Sequence, residues 1–229
     1  MTMSTIHRLA KWDNWAKQVK LHVTDLLVKG HIFWEIQEII KANPRIQKPS
    51  SFYEWMANCY ATDAVIGIRR QLDTDKRSIS LMNLLTDIIR APTVLSREQY
   101  VASYLEQPHP DDARPYIESA ANRYFDKFAG PGKSHVDPSI IRADLDRLLG
   151  HSKNLERYAN KRIAHFNRGS FKLVPTHKEV KNCLDLIEEL TKKYLLLIQG
   201  AAPKTLLPVW TYDWKEIFLE PWLRRKPRR

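Results

Sequence analysis

The sequence predicts an all-α protein. Three observations carry that reading: glycine is scarce, apolar residues recur every three or four positions along nearly the whole chain, and capping-box patterns open three of the periodic segments. Seven Gly in 229 residues is under half the average usage of roughly 7%, and most β-rich architectures need more glycine at their turns. No strand pair, internal repeat or low-complexity segment is read from the chain.

The elements follow in order. Leu9, Trp12, Ala16, Val19, Val23, Leu26 and Leu27 recur at helical intervals, and Gly30 stands where a helix stop is expected. A second apolar stretch, Ile32 to Ile40, ends before Asn43-Pro44, and the two prolines between Pro44 and Ser50 mark a loop. Ser51-Phe52-Tyr53-Glu54 has the form of a capping box, in which Ser and Glu side chains satisfy free backbone N–H groups. It predicts a helix to about Leu72, buried through Phe52, Trp55, Met56, Cys59 and Ile66. A polar turn, Asp73 to Arg77, precedes a shorter helix with Leu81, Leu84, Leu85, Ile88 and Ile89, closed by Pro92. Ser96-Arg97-Glu98-Gln99 opens the next helix, which ends before Pro108.

Ile117, Ala120, Ala121, Tyr124, Phe125 and Phe128 form a further apolar face. The loop 129–134 follows, then a helix from Pro138 to a cap at Gly150, and a helical stretch from Leu155 to about Phe166 broken by Asn167-Arg168-Gly169. Thr176-His177-Lys178-Glu179 is the third capping box, and Gly200 ends the helix it opens. After Pro203 the composition changes: Trp210, Tyr212, Trp214, Phe218 and Trp222 crowd together before a basic end. The expected organisation is a helical domain over 1–202 and an aromatic, basic extension over 203–229 that packs on the body or on a second subunit.

Lys and Arg outnumber Asp and Glu by 37 to 26, a net charge of +11. That suits a polyanion such as RNA, DNA or an anionic membrane face. Five of those charges lie in the last six residues, Arg224 to Arg229, so this end is a candidate RNA contact. Cys59 and Cys183 have no neighbours at metal-ligand spacing and are expected as reduced core thiols. No leader-like start and no apolar run near the ~20 residues of a membrane span is read, so a cytoplasmic protein away from membranes is expected.

Few motifs carry chemistry. Gly130-Pro131-Gly132-Lys133-Ser134 ends like a phosphate loop but lacks its first glycine and the strand that should lead into it. His109, His135 and His151 lack partners at ligand spacing, and no metal site is read. The segment 156–168 is different, because Arg157, Lys161, Arg162 and Arg168 gather around His165. On a helix Arg157, Lys161 and His165 stack four apart. Nearby cations disfavour imidazolium, and a neutral imidazole near pH 7 can act as a base while the cations hold a phosphate.

Asn160-Lys161-Arg162-Ile163-Ala164-His165 resembles the signature region of HEPN proteins (higher eukaryotes and prokaryotes nucleotide-binding) of the abortive-infection U-type branch. Ile68-Arg69-Arg70-Gln71-Leu72-Asp73, with Ser78-Ile79-Ser80-Leu81 and Leu84-Leu85, is similar to the Arg-rich helix end and Ser-Leu-x-x-Leu-Leu run of that branch. The resemblance covers roughly residues 10 to 200. It implies an antiparallel helical bundle that dimerises with two motifs facing each other, needs no cofactor or metal, and cleaves RNA. His165 would be the acid/base, assisted by Asn160. Arg69, Arg157 and Arg162 are candidates to steady charge on the phosphate, and Arg70, Lys161 and Arg168 are candidate RNA contacts.

The sequence departs from the family pattern at one place. The motif arginine is expected immediately before Asn160, where Ala159 stands. Three readings follow: a non-catalytic nucleotide-binding, RNA-binding or scaffold member, a member in which another arginine substitutes, or an inactivated nuclease. The expected partners are RNA, a second copy of the chain docked near the motif helix and the Thr176 to Gln199 helix, and a partner protein or antitoxin.

Overall fold

The computed structural model describes residues 3–163 and 174–221, and these are all-helical, with no strand among them. Seven helices follow one another: α1 (Met3–Ala42), α2 (Ser51–Gln71), α3 (Leu81–Arg90), α4 (Arg97–Leu105), α5 (Arg114–Ala129), α6 (Pro138–Tyr158) and α7 (His177–Gln199). Helix α7 is the central post. Its residues Val180, Cys183, Ile187, Leu190, Tyr194 and Leu197 are all buried, and α1, α2, α5 and α6 pack around them. Each such aliphatic side chain contributes about 1.5–3 kcal/mol by leaving water.

The two N-terminal stretches join into one helix of 40 residues. Gly30 does not end it. Gly30 is buried beside the ring of Tyr60, and the apolar pattern resumes in phase at Phe33. Gly150 likewise lies inside α6, which runs on to Tyr158. By contrast Gly200 adopts a left-handed φ of 65° and caps α7 by donating its N–H to the Leu196 carbonyl. Both the Ser96–Gln99 and Thr176–Glu179 capping boxes form in full.

Helix α2 departs furthest from expectation. Its N-cap is Ser50, which accepts from the Phe52 N–H, and the Ser51–Glu54 box does not form. The buried face runs through Tyr60, Ala64, Ile68 and Gln71, while Phe52, Trp55 and Cys59 are exposed, the tryptophan at 61%. The helix carries two apolar stripes, and the body takes the one with small residues. Gly67 explains that choice: a Cβ there would stand 2.2 Å from Leu26 Cδ2, so α1 and α2 approach closely along it.

Two polar clusters tie the bundle together. Asp144, on α6, accepts from Lys193 Nζ at 2.6 Å and from the Tyr194 hydroxyl at 2.8 Å, and burial raises the Tyr194 phenol pKa. Arg97 clamps the 129–134 loop, donating to the carbonyls of Lys133 (2.7 Å) and Gly130 (3.1 Å) and to Asp126 Oδ1 (2.7 Å). The loop therefore turns carbonyl oxygens toward an arginine, and Lys133 pairs with Asp137 at 2.8 Å. This is the opposite of a phosphate cradle, which offers N–H groups and a free lysine.

Residues 203–221 lie along α1 and α7. Leu206 is buried, its N–H donates to Glu188 Oε1 (2.8 Å) and its carbonyl accepts from Thr24 (3.2 Å). Trp210 stacks on His31 with centroids 4.7 Å apart, and Lys215 pairs with Glu35, which holds that carboxyl below its usual range. Tyr212 and Leu219 are exposed. Trp222 and the basic end to Arg229 lie outside the described residues.

Candidate functional site

The site begins where α2 ends. Ile68 is fully buried, so the next two residues, Arg69 and Arg70, emerge on the exposed side of the last helical turn. The turn after them is fixed by side chains. Gln71, itself buried, accepts from the Leu81 N–H, and Ser80 donates to the Asp73 carbonyl (2.6 Å) while accepting the Asn83 N–H as cap of α3. Asp73 accepts from the Ser78 hydroxyl (2.6 Å) and the Asp75 N–H, which together lower its pKa, with a smaller contribution from the charge of Arg69. The second sequence motif is thus the scaffold that positions the end of α2.

The first motif sits opposite. After Tyr158 the helix widens into a five-residue π-type turn, Ala159–Ile163, packed against α2 and α6. Such wide turns inside helices recur at functional sites because they shift side chains off the regular spacing. Ala159 is fully buried, whereas Asn160 and Lys161 are exposed. The widening also replaces the regular four-residue stacking expected of Arg157 and Lys161 on an ordinary helix.

The two motifs meet in one contact: Arg69 Nε donates to Asn160 Oδ1 at 2.8 Å. This leaves the terminal guanidinium nitrogens of Arg69 without a carboxylate partner among the described residues. Arg70, Arg157 and Lys161 are exposed and make no ion pair there either. Several cations elsewhere are paired, as in Lys17 with Asp13, Lys29 with Asp25, and Lys181 with Asp185. A group of unpaired cations around an amide-held arginine is suited to an anion.

Of the sequence-predicted residues, the structure brings Arg69 and Asn160 into contact and leaves Arg70, Arg157 and Lys161 exposed. The side chain of Arg162, and all of His165 and Arg168, lie outside the described residues. The segment carrying His165 is bracketed by a fixed contact, Asn154 Nδ2 to Glu179 Oε1 at 3.1 Å, which ties α6 to the start of α7. Among the described residues no group of three or more His, Cys, Asp or Glu could hold a metal ion, and no helix is long and apolar enough to cross a membrane.

Sequence reasoning missed the outward stripe of α2. Phe52, Trp55, Cys59 and Ile66 follow a three-then-four spacing, as the buried face does, and spacing alone does not say which stripe faces inward.

Comparison with known proteins gives one family. The family model HEPN_AbiU2, described as AbiU2, matches residues 9–219. No curated protein and no solved structure matches the chain significantly.

Proposed function

The chain belongs to the HEPN family of AbiU2 type, and from that membership we propose a metal-independent endoribonuclease acting on cellular RNA in abortive-infection defence. The observation that carries the reading is the 2.8 Å hydrogen bond from Arg69 to Asn160. It brings a guanidinium to the motif, where Ala159 is buried and offers none. Asn160 occupies Nε and so leaves the two terminal nitrogens for two oxygens of one phosphate.

In this reading the ribose 2′-oxygen attacks the adjacent phosphorus. The O2′–P bond forms, the P–O5′ bond breaks, and the products are a 2′,3′-cyclic phosphate and a 5′-hydroxyl. His165 takes the 2′ proton or returns one to the departing oxygen, and Arg69 steadies the charge that grows on the phosphate. Arg70, Arg157 and Lys161 track the backbone on either side, and Arg162 and Arg168 extend that basic segment. A cytotoxic activity of this kind calls for a restraining partner or antitoxin. The test is incubation of RNA with the native protein and with His165→Ala in excess chelator, followed by analysis of product ends. Cleavage by the native protein alone, leaving cyclic phosphate, supports the assignment. Equal cleavage by both, or none by either, assigns the chain to the non-catalytic members.

The same reading includes a homodimer, and its interface is on α2 rather than on α7, whose apolar face is buried within the chain. In an antiparallel pair the stripe can oppose itself in one register, which would set Trp55 against the partner's Ile66, Cys59 against the partner's Thr62, and Phe52 against the partner's Arg69. One register satisfies all three contacts and brings an aromatic face beside the guanidinium. Light scattering at micromolar protein should give a dimer for the native chain and a monomer for Trp55→Glu, and a monomeric native chain contradicts the interface.

A further inference from the structure

Between α1, the 73–80 turn and α3 lies a recess of about 320 Å³. That is near the lower end of small-molecule sites, the size of one nucleotide unit rather than a duplex. Trp15 forms one wall with Lys11 Nζ 4.2 Å over its ring. Asp87 lies at the base, but its charge is already engaged: it accepts from Trp12 Nε1 at 2.7 Å and pairs with Lys11 at 3.3 Å and Arg8 at 3.7 Å. Lys76 and Arg90 also line the recess, are exposed, and have no ion pair or hydrogen bond among the described residues. Asn83 is held by Nδ2, which donates to the carbonyls of Asp75 (2.7 Å) and Ser78 (2.9 Å), so its Oδ1 is an uncommitted acceptor.

We propose that this recess is a nucleotide subsite, in which Lys76 and Arg90 hold a phosphate and Trp15 receives the base once Lys11, which covers its ring, swings aside on its Asp87 pair. A ring for stacking, two unpaired cations and a fixed amide acceptor are the groups by which proteins hold unpaired nucleotides. The position makes the source a single strand. The 73–80 turn that supplies Lys76 begins after Arg70, past Gln71 and Leu72, and Asp73 feels the charge of Arg69. The recess and the Arg69–Asn160 pair therefore flank one turn, and a strand held at the motif continues across it. The inference rests on the RNA-directed reading only for the source of the nucleotide.

The test measures binding, apart from cleavage, on the full chain carrying His165→Ala. Anisotropy of a labelled single-stranded oligoribonucleotide is followed across a salt series, with competition by a nucleoside monophosphate. Lys76→Gln with Arg90→Gln should weaken oligonucleotide binding roughly tenfold near 0.15 M salt and lower the salt slope by about 1.4, two phosphate contacts at about 0.7 each. The melting temperature should be unchanged, since neither side chain has a partner among the described residues. Lys41→Gln with Lys48→Gln removes the same charge beyond the far end of α1, where Lys41 lies about 40 Å along the helix from Trp15, and should change affinity less than twofold. Competition by the monophosphate that is lost in the recess variant shows that a free nucleotide is also accepted, and no competition restricts the subsite to a strand; both agree with the proposal. Binding within twofold of the parent in the recess variant, an equal loss in the distant variant, or no oligonucleotide binding at all overturns it. If no form of the protein cleaves RNA while the recess variant still binds more weakly, the nuclease reading fails and the subsite stands.

Discussion

Replacing Ala159 by arginine, the residue the family pattern calls for at that position, is expected to destabilise the protein rather than activate it. Ala159 is 0% exposed and sits in the same core as Ile68 and Leu155. Adding two methylenes and a guanidinium there overpacks the contact between α2 and α6, at a cost of about 1–3 kcal/mol. The guanidinium then either remains buried without a carboxylate, costing several kcal/mol more, or bends out beside Asn160 and displaces Arg69. A lower figure of about 3 kcal/mol corresponds to a fall of roughly 6–12 °C in a chain of this size. Thermal and denaturant unfolding of Ala159→Arg measure it directly, with Lys161→Arg as the exposed control, expected to stay within about 0.5 kcal/mol. An Ala159→Arg protein that melts with the native chain and cleaves RNA faster would refute the reasoning, and would mark Ala159 as an inactivated catalytic position.

Gly67→Ala should cost about 1–2 kcal/mol, because the clash with Leu26 outweighs the helix-propensity gain of about 1 kcal/mol. In a Leu26→Ala background the same change should be neutral or stabilising by urea unfolding, and an unaltered cost there would contradict the close approach. Asp73 has its folded pKa lowered, chiefly by the Ser78 hydroxyl. Its contribution is therefore fully present above the unfolded value of about 4 and is lost as pH falls through the folded one. The urea-midpoint gap between native protein and Ser78→Ala should accordingly be widest above pH 5 and close toward pH 2, and a gap constant with pH would refute that assignment. Thiol reagents should modify Cys59 in the native state and Cys183 only on unfolding, since burial pushes the latter thiol to about 12. The Cys59 rate should fall as protein concentration rises through the dimer range, and a concentration-independent rate would argue against the α2 interface.

The all-helical class was legible because it rests on local signals. Ser96–Gln99 and Thr176–Glu179 cap their helices within four residues of sequence, and α7 shows a single uninterrupted stripe. What was not legible depends on partners distant in sequence. Gly30 and Gly150 read as stops, yet a glycine ends a helix only where the chain must turn, and both lie inside helices that continue to pack. Helix α2 bears two apolar stripes of similar periodicity, and the choice between them was made by Leu26 on α1 against Gly67. At the site, the basic residues of both motifs could be picked out individually, but the link between Arg69 and Asn160 spans 91 positions and no spacing rule reports it. The π-type turn that exposes Asn160 while burying Ala159 has no sequence signature of its own.

The central claim, that Arg69 supplies the guanidinium missing at Ala159, is tested most directly by cleavage kinetics of native protein, Arg69→Gln and Arg157→Gln on one RNA in excess chelator. Arg69→Gln should lower kcat on the order of 10²–10³-fold, the loss typical of a donor aimed at developing charge, with an unchanged melting temperature. Arg157→Gln, whose side chain is exposed and has no ion pair among the described residues, should lower kcat less than about threefold and act mainly on KM. Full kcat in Arg69→Gln, or the reverse ranking of the two variants, would contradict the claim.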